Sequence, residues 1–175
     1  SVTIGNGVTT IRDYTFYNCS ALARVTIPEG VTEIGSYAFY YCRSLTSVVV
    51  PEGVTVINRY AFQYCTSLES LSLPSTLREI GPAAISRCES LIDVTIPEGV
   101  TTIGDCAFDN SALTSIVIPE GIALIDRNTF AGCHALTTVT IPSSVNLIEE
   151  YAFSGCNSLE DVYCHATEVP NTSSN

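Results

Sequence analysis

Residues 28–50 read Pro28-Glu29-Gly30-Val31-Thr32-Glu33-Ile34-Gly35-Ser36-Tyr37-Ala38-Phe39-Tyr40-Tyr41-Cys42-Arg43-Ser44-Leu45-Thr46-Ser47-Val48-Val49-Val50, and Pro51 starts the pattern again. Pro28, Pro51, Pro74 and Pro97 are spaced by 23 residues, and Pro119 and Pro142 by the same step. The step from Pro97 to Pro119 is 22, so one residue is missing from that unit. Cys19, Cys42, Cys65 and Cys88 keep the same period, as do Cys133 and Cys156. Three apolar columns accompany them. Leucine recurs at Leu22, Leu45, Leu68, Leu91, Leu113, Leu136 and Leu159. Phenylalanine recurs at Phe16, Phe39, Phe62, Phe108, Phe130 and Phe153, with Ile85 in the one gap. Isoleucine runs unbroken through Ile11, Ile34, Ile57, Ile80, Ile103, Ile125 and Ile148. A period of this size is the mark of a stacked solenoid.

Each segment of the unit has its own physical reading. Val48 and Val50 alternate with Ser47 and Val49, the period of a strand with one buried face. The following proline has no N–H and ends the ladder. Pro-Glu-Gly reads as a turn, although Ser75-Thr76 and Ser143-Ser144 replace Glu-Gly in two units. Val31 and Ile34 make a second short inward segment. Tyr37 to Cys42 is too short for a full helix and predicts a helical or 3₁₀ turn. One unit cannot bury this apolar set alone, whereas stacked units can. Adjacent strands would lie about 4.8 Å apart, so Phe39 is expected between Phe16 and Phe62, and Ile34 between Ile11 and Ile57.

The columns resemble the leucine-rich repeat superfamily, with Leu45-x-x-Val48-x-Val50 and Leu68-x-x-Leu71-x-Leu73 in the place of its Leu-x-x-Leu-x-Leu strand. The tails Ala38-Phe39-Tyr40-Tyr41-Cys42, Ala61-Phe62-Gln63-Tyr64-Cys65 and Ala152-Phe153-Ser154-Gly155-Cys156 look like its BspA-like branch, bacterial surface repeats of about 23 residues. The resemblance covers residues 2–164. It implies a right-handed coil with a parallel β-sheet on the concave face and short strands or 3₁₀ turns on the other side. It also implies export to a bacterial cell surface, or secretion, and roles in adhesion and in binding host or bacterial proteins or glycans. It brings no catalytic residues and no cofactor.

Composition narrows the partners. The chain has 18 acidic and 7 basic residues, a formal charge of −11. Nucleic-acid binding needs a basic stripe to displace phosphate counterions, and docking on anionic lipid needs clustered Lys or Arg. No run of 18 apolar residues predicts a membrane span, and no signal peptide is recognisable. The chain is expected to be monomeric. Repeat-array ends without polar caps predict a piece of a longer array, with end-to-end contacts available.

Eight cysteines suggest a disulfide framework or a metal site by count alone. Their spacing argues otherwise. No Cys-x₂₋₄-Cys cluster exists, and equivalent positions on successive coils point their side chains the same way. A column of buried thiols is expected, with Cys106 and Cys164 off-column. Glu29, Glu52, Glu98 and Glu120 form an interrupted acidic ladder, read as an exposed edge rather than a calcium site. His134 and His165 lack a matched nucleophile and carboxylate and read as surface residues, so no enzyme is expected.

Tyrosine is the most uneven residue, with seven of nine in the first 64 positions. Tyr14, Tyr37, Tyr60 and Tyr151 share one column and read as structural. Tyr17, Tyr40, Tyr41 and Tyr64 follow the phenylalanine, where later units carry Ala131-Gly132 or Ser154-Gly155. These four are the candidate ligand-binding residues, an aromatic patch for protein or glycan recognition. The alternate strand residues, among them Ser47, Val49, Ser70, Ser72, Asp93 and Thr95, would line a flat face of small side chains, poor in hot-spot residues. Residues 74–118 are irregular, read either as a kink or notch with a purpose or as variation tolerated on the loop side. The organisation expected is an array over residues 1–164, of about seven units, and a polar tail over 165–175 that is a truncated further repeat. The function expected is a non-enzymatic surface module for protein or glycan binding; the alternative is a spacer within a larger surface protein.

Overall fold

Ile11, Ile34, Ile57, Ile80 and Ile103 pair one to the next in parallel register, each directly opposite its copy one coil away. Ile125 and Ile148 do the same. The period of the chain is therefore the period of the fold. The structure is a computed structural model and describes residues 1–165 and 171–172.

The strands come in pairs, one pair per coil. The first four coils hold β1 (Val2–Thr3) and β2 (Thr10–Ile11), β3 (Val25–Thr26) and β4 (Glu33–Ile34), β5 (Ser47–Val49) and β6 (Val56–Ile57), and β7 (Ser70–Ser72) and β8 (Glu79–Ile80). The fifth coil has β9 (Thr102–Ile103) alone. The last coils hold β10 (Ser115–Val117) and β11 (Leu124–Ile125), β12 (Thr138–Ile141) and β13 (Leu147–Ile148), and β14 (Asp161–Cys164) and β15 (Asn171–Thr172). The front face is built from β1-β3, β5-β7 and β10-β12-β14, and the Arg24–Ser47 bridge links the first two of these sheets. The second face is built from β2-β4-β6-β8-β9 and β11-β13-β15. All pairings are parallel. The expectation for residues 165–175 lies mostly outside the described residues; within it, Asn171 and Thr172 pair with Leu147 and Ile148. No helix among the described residues is long and apolar enough to cross a membrane.

The columns fill the interior as stacks. Phe39 lies 5.2 Å from both Phe16 and Phe62, nearly parallel to each. Phe130 lies 5.5 Å from Phe108 and 5.4 Å from Phe153. Leu45, Leu68, Leu91, Leu113 and Leu136 are fully buried. Burial of such columns, each too small to exclude water from a single coil, is what holds the coils together.

Two expectations need correction. The third side of the coil is not a 3₁₀ turn. Ala38, Tyr40 and Cys42 each donate their N–H three residues back, while Tyr37, Phe39 and Tyr41 between them donate to Arg59, Ala61 and Gln63 of the next coil. Tyr37 (φ 57°) and Tyr41 (φ 60°) are left-handed, so the chain cannot continue a right-handed helical curl. The result is a run of turns that alternately bonds to itself and to its neighbour.

The second correction concerns Asp93 and Thr95, which belong to no strand. Among the described residues, no backbone hydrogen bond joins residues 93–96 to either neighbouring coil. Thr114 directs both its N–H and its Oγ1 onto Ile92 O, at 3.1 and 3.3 Å, as Thr46 does onto Ala23 O and Thr137 onto Thr114 O, so the register is regular up to the point where the ladder is lost. Val94 and Ile96 stay buried, so apolar packing holds the segment where the ladder does not.

Candidate functional site

Each run of turns uses two left-handed positions. The first column is Tyr14, Tyr37, Tyr60, Ala83, Cys106, Asn128 and Tyr151. The second is Asn18, Tyr41, Tyr64, Arg87, Asn110, Gly132 and Gly155. An L-residue with a side chain costs roughly 1–2 kcal/mol in this conformation, whereas Gly adopts it freely and Asn more readily than most. The last three coils relieve the second column with Asn110, Gly132 and Gly155. Coils two to four place Tyr41, Tyr64 and Arg87 there instead.

These side chains form one continuous surface. Tyr14, Tyr37 and Tyr60 stack at 4.9 and 4.6 Å between centroids, with interplanar angles of 8° and 20°. Tyr17 stacks on Tyr40 at 5.1 Å and 6°. Tyr40 contacts Tyr41 at 4.8 Å and Tyr64 edge-on at 5.9 Å, and Tyr41 lies 4.4 Å from Tyr64. A tilted contact Tyr14–Tyr17 and an edge contact Tyr37–Tyr40 join the two rows. Tyr14 and Tyr17 are exposed and the other five half-buried. Burial raises the Tyr37 and Tyr40 phenols above the ordinary tyrosine range, and the neighbouring Tyr60 and Tyr41 add to the effect. Both remain neutral hydroxyls at physiological pH.

The structure thus brings Tyr17, Tyr40, Tyr41 and Tyr64 together. It also adds residues that sequence reading set aside. Tyr14, Tyr37 and Tyr60 belong to the same surface as well as to a structural column. Arg43 lies over Tyr41 at 4.6 Å, Arg87 over Tyr64 at 5.4 Å, and Arg59 over Tyr37 at 6.0 Å. The signal for the arginines was present: Arg43 and Arg59 sit within two residues of a tyrosine, and Arg87 occupies the tyrosine column one coil on.

The remaining expected sites resolve into structural devices. Cys42, Cys65, Cys88 and Cys133 are buried, and Cys156 is half-buried. Each thiol donates across the coils to a phenylalanine carbonyl, as Cys65 Sγ does to Phe39 O at 3.2 Å. Burial pushes Cys42 and Cys88 up to about 12 and Cys65 well above the usual thiol value. In the shortened coil Ser111 takes the cysteine place, buried and 3.2 Å from Cys133 Sγ. Cys19 and Cys164 are exposed, while Cys106 is half-buried beside Asp105. The acidic ladder is interrupted because Ser75 and Ser143 bond to Glu52 and Glu120. His134 is exposed, with Nδ1 2.8 Å from Gly155 O. Among the described residues no three His, Cys, Asp or Glu side chains converge as metal ligands.

Comparison with known proteins agrees with this geometry. The family model for the BspA type leucine rich repeat region matches residues 1–112 and 78–174, in six copies. A leucine-rich repeat protein from Bacteroides ovatus is 32% identical and superposes with a TM-score of 0.89 over 97% of this chain and 45% of its own. The Treponema pallidum leucine-rich repeat protein is 31% identical, with a TM-score of 0.78 over 90% of this chain and 76% of its own. The pneumococcal vaccine antigen PcpA, 19% identical with a TM-score of 0.58 over 81% of this chain and 40% of its own, shares the fold. The chain thus spans under half the length of the Bacteroides protein. Among curated proteins there is no significant match.

Proposed function

The chain belongs to the BspA-type leucine-rich repeat family, and on that premise we propose that it is a non-enzymatic binding module of a bacterial surface protein. The coils act as a rigid scaffold, and the turn side displays the recognition surface of Tyr17, Tyr40, Tyr41 and Tyr64. Its partners are proteins or glycans of a host or of other bacteria. The family brings a repeat scaffold and no catalytic group.

One observation carries this reading. Tyr41 and Tyr64 occupy left-handed positions that the same array fills with Gly132 and Gly155 in its sixth and seventh coils. Backbone strain kept where a relaxed alternative exists supports a use for the side chain. Tyrosine suits recognition because its rigid ring and hydroxyl offer contact area with little entropy to lose.

The spacer reading is favoured by the front face, where β5, β7 and β10 expose Ser47, Val49, Ser70, Ser72, Ser115 and Val117 and no large aromatic or cationic side chain. Capture of immobilised matrix proteins and glycans by the wild type and by a Tyr40→Ser/Tyr41→Ser variant separates the two. Capture that weakens in a folded variant supports display. Capture unchanged by the substitution removes the tyrosine surface, and no capture by the wild type favours the spacer.

A further inference from the structure

The net charge is unevenly distributed along the solenoid. In residues 1–64 four arginines balance four carboxylates, whereas residues 65–175 carry three arginines and fourteen carboxylates. The exclusion of anionic partners from total charge therefore applies to the C-terminal part and not to the tyrosine end. Three of the seven arginines, Arg43, Arg59 and Arg87, lie on tyrosine rings. Arg43 and Arg59 are exposed and Arg87 is half-buried. Among the described residues the ion pair is Arg127–Glu150, and the guanidinium that bonds within the chain is that of Arg78. Among the described residues, the three guanidinium forks on tyrosine therefore make no hydrogen bond to a protein acceptor.

Within the rows the ring faces are taken up by stacking of Tyr14 on Tyr37 on Tyr60, and of Tyr17 on Tyr40. Of the seven rings only Tyr14 and Tyr17, in the first coil, are exposed, so a base or an apolar side chain finds no open face along the interior of the rows. The tyrosine rings bring phenol hydroxyls from successive coils, about 4.8 Å apart, together with three guanidinium forks. Such forks suit planar carboxylates, which they bind through paired hydrogen bonds. The surface closes on the C-terminal side at Asp109, whose carboxylate accepts from Ser86.

We infer that this tyrosine–arginine surface binds a linear uronic-acid polysaccharide laid along the solenoid axis, the forks of Arg43, Arg59 and Arg87 taking its carboxylates and the tyrosine hydroxyls its sugar hydroxyls. This rests on the display reading proposed above and names the ligand class of that surface. The chemistry matches: a polymer with hydroxyls and carboxylates meets phenol hydroxyls on successive coils and three guanidinium groups, which stand at different positions of the repeat.

The test is binding to immobilised hyaluronan, with neutral dextran, poly-glutamate and a single-stranded oligonucleotide as competitors, for the wild type, Arg43→Gln/Arg87→Gln and Tyr40→Ser/Tyr41→Ser, each checked for cooperative unfolding. Hyaluronan should bind in preference to all three competitors. Removing the two arginines should weaken it at least about tenfold, the effect of losing one charge-assisted pair, and raising salt should weaken it too. Hyaluronan bound no better than dextran, or bound equally by the arginine variant, overturns the inference. So does equal competition by poly-glutamate or the oligonucleotide. Capture of dextran or a matrix protein that depends on Tyr40 and Tyr41 but not on the arginines overturns it while leaving display intact. No capture of any probe sinks both.

Discussion

Glu52 lies one coil before Ser75, and its carboxylate accepts both the Ser75 N–H and the Ser75 hydroxyl at 3.0 Å. Thr76 completes the latch by accepting from Gly53 N at 3.0 Å and donating to Val54 O at 2.9 Å. The same arrangement recurs between Glu120-Gly121 and Ser143-Ser144. Gly53 and Gly121 both have φ +98°, a conformation that any side chain would strain. A Pro-Glu-Gly turn followed by a Pro-Ser-Thr or Pro-Ser-Ser turn is thus one unit of two coils, which accounts for the gaps in the acidic ladder.

This latch predicts a pH dependence. Hydrogen bonds from Ser75 lower the Glu52 carboxyl below its ordinary value. A lowered folded-state pKa means the contribution is fully present above the unfolded glutamate value, about 4.3, and is lost as pH falls through the folded value. Thermal unfolding of wild type and Glu52→Gln should differ at pH 6 and converge as acid is added toward pH 3. A difference that does not shrink would show that the carboxylate charge is not involved.

The phenylalanine stack should dominate stability. Phe39 is fully buried between two rings, whereas Phe16 is only half-buried. Phe39→Ala should cost about 3–5 kcal/mol in denaturant unfolding, and Phe16→Ala clearly less. Equal losses would mean that the interior of the array is not tighter than its first coil.

Thiol labelling should divide the cysteines. At pH 8 without denaturant, Cys19 and Cys164 should react quickly, since both are exposed. Cys42, Cys65 and Cys88 should not react, because the thiolate is the reactive form and burial holds it back. All eight should titrate as free thiols once unfolded without reductant. Mass mapping that finds Cys65 labelled as fast as Cys19 would show the column to be open.

The break in the front sheet should appear in amide exchange. Residues 93–96 lack inter-coil backbone hydrogen bonds, while Ser70, Leu71 and Ser72 sit in the β5–β7 ladder. Exchange at Asp93 to Ile96 should be faster than at the equivalent residues one coil earlier. Comparable protection would mean that the segment is laddered in solution.

Much of the architecture was legible before any coordinate. The isoleucine and phenylalanine columns named their own neighbours, because equal spacing in the chain becomes equal height in a stack. The cysteine column was read as buried thiols for the same reason, which holds for Cys42, Cys65, Cys88 and Cys133 but not for Cys19, exposed in the first coil with no coil before it, nor fully for half-buried Cys156. The left-handed pairs were not legible: Tyr37 and Tyr41 look like residues of a helical turn, and tyrosine is an uncommon choice for positive φ. Nor was the loss of the strand at Asp93 and Thr95, whose own alternation is intact.

Period, stacking order and inward faces are properties of spacing and hydrophobicity, and the residue order of this chain decides them because a repeat can bury its columns in only one register. Which side chains share the outer surface is different. That Arg43, Arg59 and Arg87 rest on tyrosine rings, that Glu52 holds Ser75, and that the front sheet opens at residues 93–96 depend on contacts between coils. Those contacts join residues about one repeat apart, at distances of a few ångströms, where one left-handed angle redirects a hydrogen bond.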